Sequence, residues 1–471
     1  MDRLAQWSRL MGMPQWRASD VVCLAAIIAL VGGLMMAMQS LHYSIGLNDF
    51  FGLSFAGAHW SWSDPQTWRN GFYPALSIYY FHLLGDQAPR LALLFNAPDA
   101  AWMFASIYIV GRGRARGFSG LTAALLLFAL PSVVTITLTQ TADLAAMAGV
   151  AVALAAVDYE TNVRSEESGS WGVHATILAA IAAFLSVQMR LHTITLLLPA
   201  GLAGLALIRG RRRSWAALAA GSAAGGALQA AVNLAAGYPP LHTSQAFNLY
   251  RTIHPINWLQ TSQLTDLPSP VELIATETGA VIQAWLNGAA TMWVPALIAL
   301  VAIACAGIPA LNRARSSADR RTALAIAGGM LVYVAAVSLG GSERGALALW
   351  APAIMAGLMS FGSPVRGYTA SESSPTEPAG ETPALPMFLV VLTVAVGATL
   401  TLPAARSHVE GRLQTWQLST QIEEILVNEL GVRSSTEVFS EEFDFYLPDT
   451  PPYWAHHLGG WSRVDLHGFD A

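Results

Sequence analysis

The chain is expected to fold as an all-α polytopic membrane protein of about 11 transmembrane helices, with a small α/β subdomain outside the membrane at its C-terminal end. Composition is the first reason. Of 471 residues 54% are hydrophobic and only 12% charged, with a mean hydropathy of +0.45, too little polar side chain to clothe a soluble globule. The second is length. A hydrocarbon core about 30 Å thick takes roughly 20 helical residues, and eleven apolar windows meet or approach that: 21–39, 92–111, 118–136, 142–158, 173–189, 193–208, 214–236, 288–309, 322–340, 345–361 and 386–403. The third is charge: sixteen of the 25 basic residues, all of them Arg, precede the first window or fall in alternate connections.

Those Arg residues set the orientation. Arg3, Arg9 and Arg17 stand before the first window, and Arg112, Arg114 and Arg116, then Arg164, then Arg209 and Arg211 to Arg213, then Arg313, Arg315, Arg320 and Arg321, and finally Arg366 follow on the same side. Short basic loops stay in the cytoplasm, so the chain reads as a multi-pass protein of the cell membrane with a cytoplasmic N-terminus and an extracytoplasmic C-terminus. The first window, about nineteen residues long, exceeds a usual signal-peptide core and reads as an uncleaved signal anchor. Ten of the eleven His residues, all but His174, fall at or beyond the outer ends of the windows. Polar chemistry is expected on that face.

Domain limits follow from the connections. Residues 1–361 form a transmembrane core with long outer loops at 40–91 and 237–287. Residues 362–385, rich in Pro, Ser, Thr and Glu with little to bury, read as a flexible cytoplasmic linker. The last helix follows at 386–403, then an acidic subdomain at 404–471 with eleven acids against four Arg. Within it Leu418, Ile422, Ile425, Leu426 and Leu430 fall on one face of a helix that Gly431 can end, and STEVFS and FDFYLP read as short strands.

Cys23 and Cys305 both lie in apolar windows, so the outer segments have no thiol for a disulfide and no Cys-based metal site. Adjacent His456 and His457 would point to opposite faces of a strand and read as surface residues. The sequence has no Walker loop, no GxGxxG after a strand, no GxSxG and no HExxH, which leaves nucleotide-driven, Rossmann, serine-hydrolase and zincin chemistry without support. No nucleic-acid partner is expected.

In the first outer loop Asp49, followed by Phe50, Leu53 and Phe55, stands about ten residues past the first window. A carboxylate there can deprotonate a hydroxyl or hold a divalent cation, magnesium or manganese, against a phosphate; it can equally be a solvated or capping carboxylate. Asp64 is its rival, but SDPQT sets it before a proline, where capping is common. Trp60, Trp62, Trp68, Tyr79 and Tyr80 suit the headgroup level, while Tyr73 before Pro74 is less generic. Four charges lie within or at the ends of windows: Asp99 beside Pro98, Asp143 opening window four, Arg190 between windows five and six, and Arg344 leading into window ten. Charges in such places cost about 2.5–3.5 kcal/mol on insertion and usually face a cavity. An Arg there suits a lipid phosphate, because its fork binds two oxygens, or it forms an internal pair.

Taken together these residues resemble the polyprenyl-phosphate-sugar-dependent glycosyltransferases of the GT-C fold, in particular the bacterial, glycosyltransferase family 39-like relatives of the dolichyl-phosphate-mannose protein mannosyltransferases. The resemblance runs best over residues 45–215. It comprises Asp49 in the first outer loop, Tyr73-Pro74-Ala75-Leu76, the Gly85 to Arg90 run leading into span two, Gly111-Arg112 closing that span, Leu130-Pro131, and Asp143 opening span four. SERGALALWAPAIMAG adds Arg344, with Gly345 where the family usually has Tyr. No one element is specific; their order and spacing make the resemblance.

It implies transfer of a sugar from a polyprenyl-phosphate donor to an extracytoplasmic glycan, lipid or protein acceptor, with inversion. In that reading Asp49 is the base, Arg344 and Arg190 hold the donor phosphate, and Asp64, Tyr73 and Asp143 shape the cavity. A divalent cation is compatible but not required by any residue. Two alternatives stay open. One is a polysaccharide polymerase or O-antigen-ligase-like enzyme using Arg251 and His254, and the other is a secondary transporter, which should show repeats and broken helices.

Overall fold

The computed structural model describes residues 22, 24–29, 92–112, 130, 133, 142–162, 169–208, 212–235, 240, 249–250, 252–254, 268, 270–307, 317–340, 343–361, 410, 414, 417–418, 421–422 and 424–433. Most of windows one and three, all of window eleven, the loop 40–91, the linker and the tail strands lie outside these residues. Among the described residues all regular structure is helical, with no strand.

Ten α-helices follow in order: α1 Ala92–Arg112, α2 Ala142–Asn162, α3 Gly169–Met189, α4 Ile194–Leu207, α5 Arg213–Ala235, α6 Pro270–Thr276, α7 Thr278–Thr291, α8 Trp293–Gly307, α9 Ser317–Val337 and α10 Glu343–Phe361. Helices α2, α3, α5, α4, α9 and α10 pack each on the next, and α10 returns to α2, closing a ring. Helix α1 leans on α2 and α10, and α8 on α9 and α10. Among the described residues three helices are long and apolar enough to cross a bilayer, Asp143–Thr161, Arg213–Ala235 and Ala318–Val337, and the bent pair Thr278–Thr291 and Trp293–Cys305 would be a fourth only if both halves formed one span. Val173–Met189, Leu191–Leu207 and Gly345–Ser360 are apolar but shorter. The class this defines is a helical membrane protein with several candidate spans.

On α3 residue size, not polarity, separates the face turned inward from the face turned out. Val173, Ile177, Ile181 and Leu185 are exposed at steps of four, while Ala175, Ala179, Ala182, Ala183 and Ser186 are buried. A soluble protein would bury the large side chains. In lipid the tails solvate Ile and Leu as well as a core does, so close backbone approach governs helix contact and small residues take the interface. Gly221 and Gly225 of α5 show the result: a Cβ at Gly221 would run into the Ala180 carbonyl, and one at Gly225 would lie 2.9 Å from Val187 Cβ. Gly149 of α2 meets the opposite face of α3, 2.8 Å from Ser186 Cβ.

The window 288–309 falls on two helices, α7 and α8, bent by 77° at Met292, with α7 starting as far back as Thr278. Pro295 explains the break. It has no N–H to give the Thr291 carbonyl, and its ring excludes that carbonyl from the helical position. Met292 leaves helical geometry at φ −109°, ψ 10°, and its N–H turns to Ala289 O at 3.0 Å. The hydroxyl of Thr291 donates to Gly288 O at 2.7 Å, filling the same gap.

In the tail the expected helix ends at Gly431, which adopts φ +68°, a conformation glycine reaches without a Cβ clash. Its last turn is a π-helix, Ile425–Glu429, closed by Leu430 N–H to Ile425 O at 3.1 Å and Val432 N–H to Leu426 O at 2.8 Å.

Candidate functional site

A polar cluster lies at one end of the ring, where α2 begins and α3 ends. Asp143, in the first turn of α2, is 6% exposed; Arg190 follows the last residue of α3. The guanidinium grips the carboxylate with two contacts, Nε to Oδ1 at 2.8 Å and Nη2 to Oδ2 at 2.9 Å. The two helices are antiparallel neighbours, so the acid meets the positive end of α2 and the Arg the negative end of α3. Each dipole favours the charge it receives, and of the two contacts the one from Nη2 is a hydrogen bond while the one from Nε is an ion-pair approach.

The chain is shaped locally to present Arg190. Its backbone is extended, φ −146°, ψ 103°, between α3 and a single 3₁₀ turn, Leu191–Thr193, that leads into α4. Thr193 fixes this corner: its N–H and its hydroxyl both donate to the Arg190 carbonyl at 2.9 Å. Ser186, fully buried, donates to the Ala146 carbonyl of α2 at 2.9 Å and lies 3.3 Å from Thr193 Oγ1. The ion pair and this hydroxyl relay both tie α2 to the end of α3.

Two residues on, His192 sets its ring edge-on against Tyr333 of α9, with centroids 5.7 Å apart. Tyr333 is fully buried and its hydroxyl donates to Gly345 O in α10 at 2.9 Å. His192 stands in the connecting turn outside α3 and α4. Burial first, then the Arg190 guanidinium, push its imidazole down to about 4 against the opposing pull of Asp143. It is therefore neutral at physiological pH.

Of the site residues expected from sequence, Asp143 and Arg190 are brought together. Arg344 is the second residue of α10, one before the Gly345 that Tyr333 holds; its side chain is outside the described residues, as are Asp49, Asp64 and Tyr73 entirely. Arg190 takes the form of an internal pair and is two-pronged on Asp143. Gly345 has a structural reason to be Gly: a Cβ there would lie 2.9 Å from Val337 Cγ1 and 3.3 Å from Met292 Cε, so this packing has no room for a Tyr. Of the other residues considered from sequence, Asp99 lies within α1, partly buried, and His254 pairs with Glu277 at 3.0 Å. No three His, Cys, Asp or Glu side chains meet as a metal site among the described residues.

His192 and Tyr333 were not singled out by sequence. His192 carried a weak signal, a polar residue two positions after a span-end Arg in VQMRLHT. Tyr333 carried none within GGMLVYVAAV, because the carbonyl it serves is twelve residues away and meets it only through the α9–α10 packing.

In comparison with known proteins, no family model, no curated protein and no solved structure matches the chain.

Proposed function

We propose that the protein is a membrane glycosyltransferase that moves a sugar from a polyprenyl-phosphate donor to an extracytoplasmic acceptor, with inversion at the anomeric carbon. The acceptor hydroxyl attacks the anomeric carbon as Asp49 takes its proton. The bond from that carbon to the phosphate oxygen breaks, and the electron pair leaves with the polyprenyl phosphate. Arg344 and Arg190 meet the negative charge of that leaving phosphate. Asp143 holds Arg190 in place before the donor arrives, which lowers the cost of ordering it. Asp64 and Tyr73 line the sugar cavity. This reading takes the Asp143 end of the ring as the extracytoplasmic one.

The observation that favours this reading most is the two-pronged Asp143–Arg190 pair at the end of the ring where α10, with Arg344, begins. The test is transfer of radiolabel from a polyprenyl-phosphate sugar in isolated membranes. A general base contributes about 10²–10⁴-fold, so Asp49→Asn should lower turnover by at least that lower factor at unchanged expression. Unchanged turnover would remove Asp49 from the mechanism, and no transfer by the native chain from any such donor would end the enzyme reading.

One observation favours a second reading. The 77° break between α7 and α8 is a feature that secondary transporters share. Solute counterflow in proteoliposomes, in the absence of any lipid-linked sugar, would support that reading.

A further inference from the structure

Helix α7 has three faces where a transmembrane helix has two. Val281, Ala284 and Gly288 are buried, and Trp285 between them donates its indole N–H to Ala335 O of α9 at 2.8 Å. Ile282 and Leu286 are exposed at 53% and 49%. Gln283, Asn287 and Thr291 are exposed too, and Gln283 donates to Asn287 at 3.0 Å. At about 100° per residue these groups are centred roughly a third of a turn apart. One faces protein, one is apolar and one is polar.

A helix inside the hydrocarbon needs no polar face, and a helix in water has no use for an exposed Ile and Leu on one side. A helix lying along the membrane surface, docked on its own protein, needs all three. The bend points the same way. Helix α8 is apolar and exposes Leu297, Leu300 and Val301 as a lipid-facing side would, and α7 turns 77° away from it. A helix that nearly perpendicular to a span lies close to the bilayer plane. Trp293, 55% exposed, sits at the corner, where an indole favours the headgroup level. The apolar side of α6 continues the surface with Val271 and Ile274.

We infer that α7 is an interfacial helix, lying at headgroup depth in the leaflet at the Asp143 end of the bundle. Ile282 and Leu286 enter the acyl boundary while Gln283 and Asn287 face water. The protein side of α7 rests on the turn Ser338–Gly340, where Gly288 packs against the Ser338 carbonyl, and Leu249, Leu273, Val281 and Ala284 form a small core beneath it. That turn leads into α10.

The partner is the lipid surface itself, so the inference is independent of whether sugar is transferred. Single-cysteine variants Ile282→Cys, Gln283→Cys, Leu286→Cys, Asn287→Cys, Leu297→Cys and Leu300→Cys, made with Cys23 and Cys305 replaced by Ala, are spin-labelled in the full-length protein. Collisions with oxygen, which concentrates in lipid, and with a water-soluble nickel chelate are measured in liposomes. Positions 282 and 286 should favour oxygen at one shared shallow depth, 283 and 287 should favour nickel, and depth should increase from 297 to 300. A depth that increases from 282 to 286 by the roughly 6 Å of four helical residues would make α7 half of a span and overturn the inference. Nickel access at all four α7 positions would overturn it as well.

Discussion

Asp143 and Arg190 illustrate how much context changes the meaning of a charge. In sequence both are costly groups near span ends, and Arg190 could equally face a lipid phosphate. In the fold they satisfy each other and two helix dipoles at once. Removing one partner of a fully buried pair costs about 3–5 kcal/mol, and because Arg190 is 28% exposed the cost here is smaller. Asp143→Ala and Arg190→Ala should each lower the thermal midpoint in detergent substantially, and the double variant should lower it by less than the sum. Additive losses would show that the two side chains do not interact. His192 supports a pH prediction. Its folded value, about 4, lies below the ordinary 6.5, so between these values the unfolded chain binds more protons. The contribution is fully present above about 6.5 and is lost as pH falls towards 4. Melting measured from pH 7 to 4 should show that the native protein loses more stability than His192→Asn; parallel curves would contradict the burial of this ring.

Small residues set several of the close helix contacts, and two neighbouring glycines on α9 separate packing from propensity. At Gly329 a Cβ would meet Leu196 O at 2.5 Å and Ala200 Cβ at 2.8 Å, whereas at Gly328 nothing lies within 4 Å. Gly329→Ala should therefore destabilise, by about 1–3 kcal/mol as overpacking does. Gly328→Ala should be neutral or gain up to about 1 kcal/mol from helix propensity. Equal effects in a denaturation series would argue against the α4–α9 contact. The windows of the sequence locate these helices well, since apolar length alone marks where a chain can enter a membrane. They do not locate the contacts, because in lipid both faces of a helix are apolar and periodicity carries almost no information about which face is inside. The break at Met292 shows a second limit. Pro295 was visible in the sequence, but the apolar stretch ran through it. Only the resulting geometry shows that the residues before it turn aside.

At the scale of the whole molecule the sequence makes a topological prediction, eleven crossings with opposite ends on opposite sides. Alkaline phosphatase fused after residue 471 should be active, and the same reporter fused in the 362–385 linker should be silent. An inactive C-terminal fusion with an active linker fusion would invert the orientation. The sequence by itself determined that the chain belongs in a membrane, roughly where its helices lie and which charges are too costly to be there without purpose, because composition and apolar length are properties that lipid selects directly. It also supplied Asp49, Tyr73 and Arg344 as candidates for donor chemistry, through the order of several weak motifs. Only the tertiary structure decided that Arg190 is held by Asp143, that Tyr333 secures the start of α10, that Gly345 packs closely on Val337 and Met292, and that α7 turns away from α8 with three distinct faces. The first two depend on residues meeting across 47 and 12 positions of chain, and no local pattern of side chains encodes which small residue will meet which carbonyl.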